Sequence, residues 1–472
     1  MYLCDCRCVL PFSQYSFSGC LDCIRGSLKK NTALVLRQHT NMSNQTIFKC
    51  ITALFFLLSP ICLPAATIQV AAGEDVQQAI DRAQPGDVLR LASGTYPGRL
   101  VVDKSVTIEG PDDRSAIIEG DRKSRTVWVA APDVTLRNLT VIKSGLSLPK
   151  MDAGIFLDKA ATRALIENND VLDNSVGVYL WGAQDAMVRG NRIVGNTKLR
   201  QNERGNGVTV WNAPGSQVVG NRISEGRDGI FSNASTKNIF KDNYFTKLRY
   251  AVHYMYTNDS EVLDNFSDGN EIGYAIMFSE RLKVRNNIAR NSVNQGLMLN
   301  YTNHSEIDGN VVVKADKCVF VYNANNNSLR NNHFENCAIG IHFTAAPENI
   351  AVVGNSFVNN QNQIKYVGTR FVDWAEKGRG NYWSDNSAFD LDGDGIADTA
   401  YRPNGITDQI VWRAPSARLL MNSPAMSIIK WSQSQFPAIL PGGVTDSRPL
   451  MTPPSSPALQ KYLDFLKNRS PA

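Results

Sequence analysis

Gln217-Val-Val-Gly-Asn221-Arg-Ile-Ser-Glu-Gly-Arg-Asp-Gly229-Ile-Phe is followed 22 residues later by Ile239-Phe-Lys-Asp-Asn243-Tyr-Phe-Thr-Lys-Leu-Arg-Tyr-Ala251-Val-His. Both copies carry a glycine or polar residue, an asparagine, a short apolar run and then a small residue that opens a strand. The asparagines recur at Asn169, Asn191, Asn221, Asn243, Asn265, Asn287, Asn310, Asn332 and Asn355, at spacings of 22, 30, 22, 22, 22, 23, 22 and 23. The long gap holds the polar stretch from Thr197 to Asn206, read as a loop bulging from one rung. Asn138, followed by a similar loop from Ser144 to Asp152, is read as an earlier copy.

Strand openers keep step with the asparagines: Gly154, Gly177, Gly207, Gly229, Ala251, Ala275, Gly296, Cys318 and Gly340. Alternation behind each opener sends Ile155, Leu157, Val178, Leu180, Val208 and Val210 inward. A period in the low twenties belongs to leucine-rich repeats or to β-helices. These rungs lack fixed leucines and are rich in β-branched residues with Asn and Gly turns. A corner asparagine tolerates a left-handed backbone and can hydrogen-bond to its copy along the stack. The expected fold is all-β, a right-handed parallel β-helix of the pectin-lyase-like kind. Val76, Ala79, Ile80 and Ala83 share one face of a helix expected to cover the first rung.

A chain of 472 residues would ordinarily suggest two or three domains, but a solenoid grows in one dimension. Residues 42–66 read as a signal peptide: Lys49, a short apolar run from Ile51 to Leu63, then Ala65 and Ala66. Residues 1–41, with Cys4, Cys6, Cys8, Cys20 and Cys23, fit nothing downstream and read as a misassigned or unstructured extension. Beyond residue 66 the chain carries 43 Lys/Arg against 42 Asp/Glu, so no basic stripe argues for nucleic acid or an anionic membrane surface. Cys318 and Cys337 remain there, as a disulfide or as two buried thiols. The remaining boundaries are the β-helix at 67–368, a C-terminal cap at 369–412, an extended docking segment at 413–451 and a flexible tail at 452–472, in which Leu459 to Leu466 could form a short helix.

Sugar chemistry on this architecture needs clustered carboxylates on an outward face. Asp158 stands alone in its column, and no Asp-Pro-His occurs. The outward column is instead read as Phe156, Tyr179, Thr209, Phe231, His253, Met277, Met298, Phe320 and His342, with Met255 on the strand of His253. At roughly 4.8 Å per rung, His253, Met255, Met277 and Met298 form a patch about 10 Å long. Imidazole and thioether together suit Cu(I). His342, about 19 Å away, would serve a second site. The same column also reads as a protein-docking face. Finally, Asp390, Asp392, Asp394 and Asp398, with the carbonyl of Ile396, match the first nine positions of a calcium loop; Tyr401 stands where the bidentate Glu should be. The alternative is a metal-free Asp/Gly turn.

After the β-helix come Gly380-Asn381-Tyr382-Trp383-Ser384-Asp385-Asn386, the Asp-rich loop, Tyr401-Arg402-Pro403, Phe436-Pro437 and Asp446-Ser447-Arg448-Pro449-Leu450-Met451. In that order these segments resemble the nitrous oxide reductase maturation protein D (NosD) family, over roughly residues 67–451. The resemblance implies a periplasmic protein with no reaction of its own. It implies partnership with an ABC transporter (cytoplasmic ATPase and membrane permease), a copper-carrying lipoprotein and nitrous oxide reductase, whose copper-sulfur centre is matured. The alternative expectation is a carbohydrate-binding or polysaccharide-processing β-helix.

Overall fold

The computed structural model describes residues 65–344, 348–366, 370–420, 423–436 and 443–468; the expected signal peptide and the cysteine-rich extension lie outside them. The described chain is a parallel β-helix. Each strand pairs in parallel with its copy one rung later, so identical positions stack. One sheet carries the column Val218, Phe240, Val262, Val284, Ile307, Leu329 and Val352. The sheet behind the openers carries Val178, Val208, Ile230, Val252, Tyr274, Leu297, Val319, Ile341 and Ile364. All of these side chains are buried in one continuous core, as are Ile155, Leu157, Leu180 and Val210.

The asparagines form a buried ladder. Each donates its side-chain amide and its backbone N–H to the side-chain oxygen of the next: Asn243 to Asn265 at 3.0 Å for both, and Asn265 to Asn287 at 3.0 and 3.1 Å. The same amide also donates to a carbonyl of the preceding rung, as Asn265 does to Phe240 at 2.8 Å. The left-handed corner residue is the one before the asparagine: Gly190, Gly220, Asp242, Asp264, Asn286, Gly309, Asn331 and Gly354 all have φ between 52° and 70°. Two needs that the sequence reading gave to one residue are thus met by two. Asn138 is likewise a left-handed corner residue, with φ of 57°. Its neighbour Leu139 takes the ladder position, donating its N–H to Asn169 at 2.9 Å, so the side-chain ladder begins at Asn169.

Both ends are closed. Helix α1, Val76–Arg82, buries Val76, Ala79 and Ile80 and is N-capped by the Asp75 side chain. At the other end the ladder passes from Asn355 to Asn381 and stops at Asp446, which accepts from the Asn381 N–H at 2.7 Å and the Trp383 indole N–H at 2.8 Å. Trp383 stacks on Phe357 at 4.3 Å and packs against Trp374 and Tyr401. Gly380 is required because a Cβ there would lie 1.8 Å from the Asp446 carboxylate. Cys318 and Cys337, both buried, form a disulfide.

Past residue 402 the chain is not extended. It forms α2, Ile406–Arg413, a short 3-10 turn, Pro415–Leu420, and α3, Pro424–Gln435, before strand Gly443–Thr445 returns beside Phe371–Asp373. The tail also differs from a flexible one. Helix α4, Pro457–Lys467, lies on the solenoid and packs Ala458, Tyr462, Leu459 and Phe465 against Tyr244, Phe266, Ile288, Val311 and Val313. Those outward side chains are apolar because a helix covers them.

A soft-ligand and aromatic face around His253

The outward positions of the opener sheet sort into two columns. One reads Phe231, His253, Ala275, Met298, Phe320 and His342; the other reads Asn233, Met255, Met277 and Asn300. Met277 therefore belongs beside Met255, directly one rung above it, and not in the column of His253. Ala275 separates His253 from Met298. The cause is a two-residue slip in the expected register. The opener of that rung is Gly273, eight residues after Asn265, as Ala251 is eight after Asn243. A slip by two keeps every side chain on its face, so alternation could not reveal it. The patch survives with altered geometry: His253 and Met255 on one strand, Met277 next to Met255, and Met298 two rungs from His253, about 10 Å. His342 lies beyond Phe320, about 19 Å from His253.

His253 is not a loose surface imidazole. It is 8% exposed, wedged between Phe231 and Tyr250 with ring centroids 5.0 Å from each. Its Nδ1 lies 3.0 Å from Asp228 on the preceding rung. Arg249 grips the same carboxylate with two hydrogen bonds of 2.8 and 2.7 Å and lies over the Tyr250 ring. Burial pushes the Asp228 carboxyl up. The bonds from His253 and Arg249, with the guanidinium charge, outweigh that and hold it below the usual carboxylate range. An ionised Asp228 only accepts, so Nδ1 donates to it and Nε2 is the nitrogen not engaged by the carboxylate. A carboxylate behind the distal nitrogen is how metal-binding histidines are held in one tautomer and orientation. His342 differs. Burial and the nearby Lys365 and Lys317 push it down to about 4, and its buried Nδ1 has no hydrogen-bond partner.

Sequence reasoning missed Asp228 and Arg249. Each precedes an opener, at one and two residues respectively, on adjacent rungs, and only the stack brings them together. It also missed an aromatic ledge beside the methionines. Tyr256, Phe278 and Tyr301 follow the Met255 column and stack at 5.3 and 5.1 Å, with Tyr322 edge-on beyond at 5.6 Å. Tyr256, Tyr301 and Tyr322 are exposed. The three stacked residues hold φ of 51°, 48° and 51°, a conformation that disfavours bulky side chains by roughly 1–2 kcal/mol each. The equivalent corners elsewhere use Gly182, Asn212 and Asn323, so the turn itself does not call for rings.

The Asp loop brings three of its four carboxylates together: Asp390, Asp392 and Asp394 have ligand oxygens within 4.8 Å of one another. Asp398 turns to accept from the Leu391 N–H at 2.8 Å. Asp390 accepts from the N–H groups of Gly393 and Gly395, Asp394 accepts from Ile396, and Arg448 pairs with Asp394 at 3.2 Å. The loop satisfies itself as a turn, with its charge partly met by Arg448.

The family described as "Periplasmic copper-binding protein (NosD)" matches residues 189–388, which contain His253 and all three methionines. A Stutzerimonas stutzeri protein named "Probable ABC transporter binding protein NosD" is 37% identical over 385 residues, spanning 78% of this chain and 88% of that protein. Its Pseudomonas aeruginosa namesake is 36% identical, spanning 85% and 96%. The chain belongs to the NosD family. The Dettilon tailspike protein is similar in fold, with a TM-score of 0.53 at 13% identity over 73% of this chain and 74% of that one. That likeness carries the solenoid architecture of this chain and nothing of its function.

Proposed function

We propose that this NosD-family chain is a periplasmic accessory protein that takes part in maturing the copper-sulfur centre of nitrous oxide reductase, without catalytic turnover of its own. Its partners in this reading are an ABC permease and ATPase, a copper-carrying lipoprotein and the reductase. The observation that carries the reading is His253, held by Asp228 and Arg249, beside Met255, Met277 and Met298. Cu(I) is the cargo. Soft thioethers and an imidazole suit it, and the engagement of Nδ1 by Asp228 leaves Nε2 to meet the ion. The four donors spread over three rungs, so a carrier could pass the ion in by exchanging ligands singly. The ledge from Tyr256 to Tyr322 offers that carrier an aromatic contact surface. A hard cation at Asp390, Asp392 and Asp394 would staple the cap and take no part in the transfer.

Anaerobic Cu(I) titration against a competing chelator tests the site. His253→Ala combined with Met255→Ala and Met277→Ala should weaken binding at least about 100-fold, the loss of about 3 kcal/mol of ligand interaction. Asp228→Asn should weaken it about tenfold through imidazole orientation. Equal binding by wild type and the triple variant would remove copper from this face. Fewer copper atoms in the reductase of a deletion strain would support the maturation role, and an unchanged content would end it.

A further inference from the structure

The helical excursion after the solenoid does not behave like the rest of the surface. It leaves and returns through one bridge: Tyr401 and Asp446 exchange backbone hydrogen bonds of 2.8 and 2.9 Å. Asn404 ties its base to the Ile364 carbonyl at 2.6 Å. Within α3, Met426 is buried, whereas Ile428, two positions on and so about opposite on the helix, is exposed. Trp431, one turn after Ile428, is 63% exposed. Leu419 is 90% exposed, and Leu420 and Phe436 extend the same exposed apolar character. The composition is also one-sided. From Val411 to Phe436 the chain has Arg413, Arg418 and Lys430 and no Asp or Glu, although the chain beyond residue 66 is near charge balance. Exposed apolar side chains led by a tryptophan, in a stretch of sequence whose only charged residues are positive, match an anionic lipid surface, where rings and aliphatics enter the headgroup boundary and net positive charge favours binding. No helix among the described residues is long and apolar enough to cross a membrane, so contact would be with the surface.

We propose that this excursion is a membrane-surface anchor, laying α3 and the preceding turn on anionic phospholipid headgroups. It is separate from the His253 face, and its failure would leave the copper reading untouched. Protein purified from the periplasm of an expressing cell should sediment with phosphatidylethanolamine vesicles containing phosphatidylglycerol. It should sediment much less with phosphatidylcholine vesicles, and less again in high salt. Ile428→Ser with Trp431→Ser should cut binding at least about tenfold, with an unchanged melting temperature showing that the fold is intact. Wild type remaining in the supernatant, or the double variant binding equally, overturns the proposal. So does binding only to a detergent-solubilised membrane protein, which would assign the surface to a protein partner.

Discussion

At the scale of a residue, the ladder asparagine does more than fill a corner. Asn265 accepts from the backbone and side-chain nitrogens of Asn243, and donates to Phe240 and Asn287, with no water-exposed surface. Asn265→Ala strands the Asn243 N–H in the core and removes one of the donors to the Phe240 carbonyl. At about 1–3 kcal/mol for a buried unpaired group, it should cost about 1–3 kcal/mol, read by urea denaturation. The role of Asn as a stacking corner was legible from spacing alone. Its division of labour with the preceding residue was not, because a Gly-Asn or Asp-Asn pair does not say which member is left-handed. His342 gives a prediction of a different kind. Its folded value of about 4 lies below the roughly 6.5 of an unfolded imidazole. Between those values the unfolded chain binds a proton that the folded chain refuses. Stability from this group is therefore full above about pH 6.5 and falls as pH drops toward 4. Thermal melts across that window should show His342→Leu with a shallower acid loss than wild type; parallel curves would mean the imidazole is not held neutral.

At the scale of an element, what decides an outward surface is what lies on it. Strands around Phe266, Ile288 and Val311 look like any other solenoid strand in sequence, yet their outward side chains are as buried as the core because α4 covers them. The apolar pattern of α4 was legible; its partner was not, since strap and strands are separated by more than 140 residues. The register slip at Gly273 has a similar origin. Gly273-Tyr-Ala275 offers two small residues two apart, and only the distance from Asn265 chooses between them. Ending the chain before Pro457 should uncover Phe266, Ile288, Val311 and Val313, each worth roughly 1.5–3 kcal/mol when fully buried. The expected result is greater binding of a hydrophobic dye and faster exchange at the Val311 and Val313 amides, with circular dichroism changed only by the lost helix. Unchanged dye binding would mean that α4 does not shield this patch in solution.

At the scale of the whole molecule, stability is a sum over neighbours, since each rung touches only the rungs above and below it. The last rung lacks one neighbour, and the motifs that carried the family resemblance supply it. Asn381 continues the ladder, Trp383 closes the core, and Asp446 receives the final donors. Asp446 has no cation beside it among the contacts described, and burial raises its carboxyl above the ordinary value. Its four donors, the backbone N–H and side-chain amide of Asn381, the N–H of Arg448 and the indole of Trp383, are therefore what hold it in place. Asp446→Ala strands two of these in the interior, a loss of about 4 kcal/mol concentrated at one end. Gly380→Ala should act similarly by driving a methyl into the same carboxylate. In a linear stack such a loss frees the chain from that end and fades with distance. Hydrogen exchange should rise most in the rung at Ala351–Val353 and Ser356–Val358, less at Ser328–Arg330, and not at Leu165–Glu167. A uniform rise along all rungs would instead show that the solenoid unfolds as one cooperative body, with the cap acting on the whole core at once.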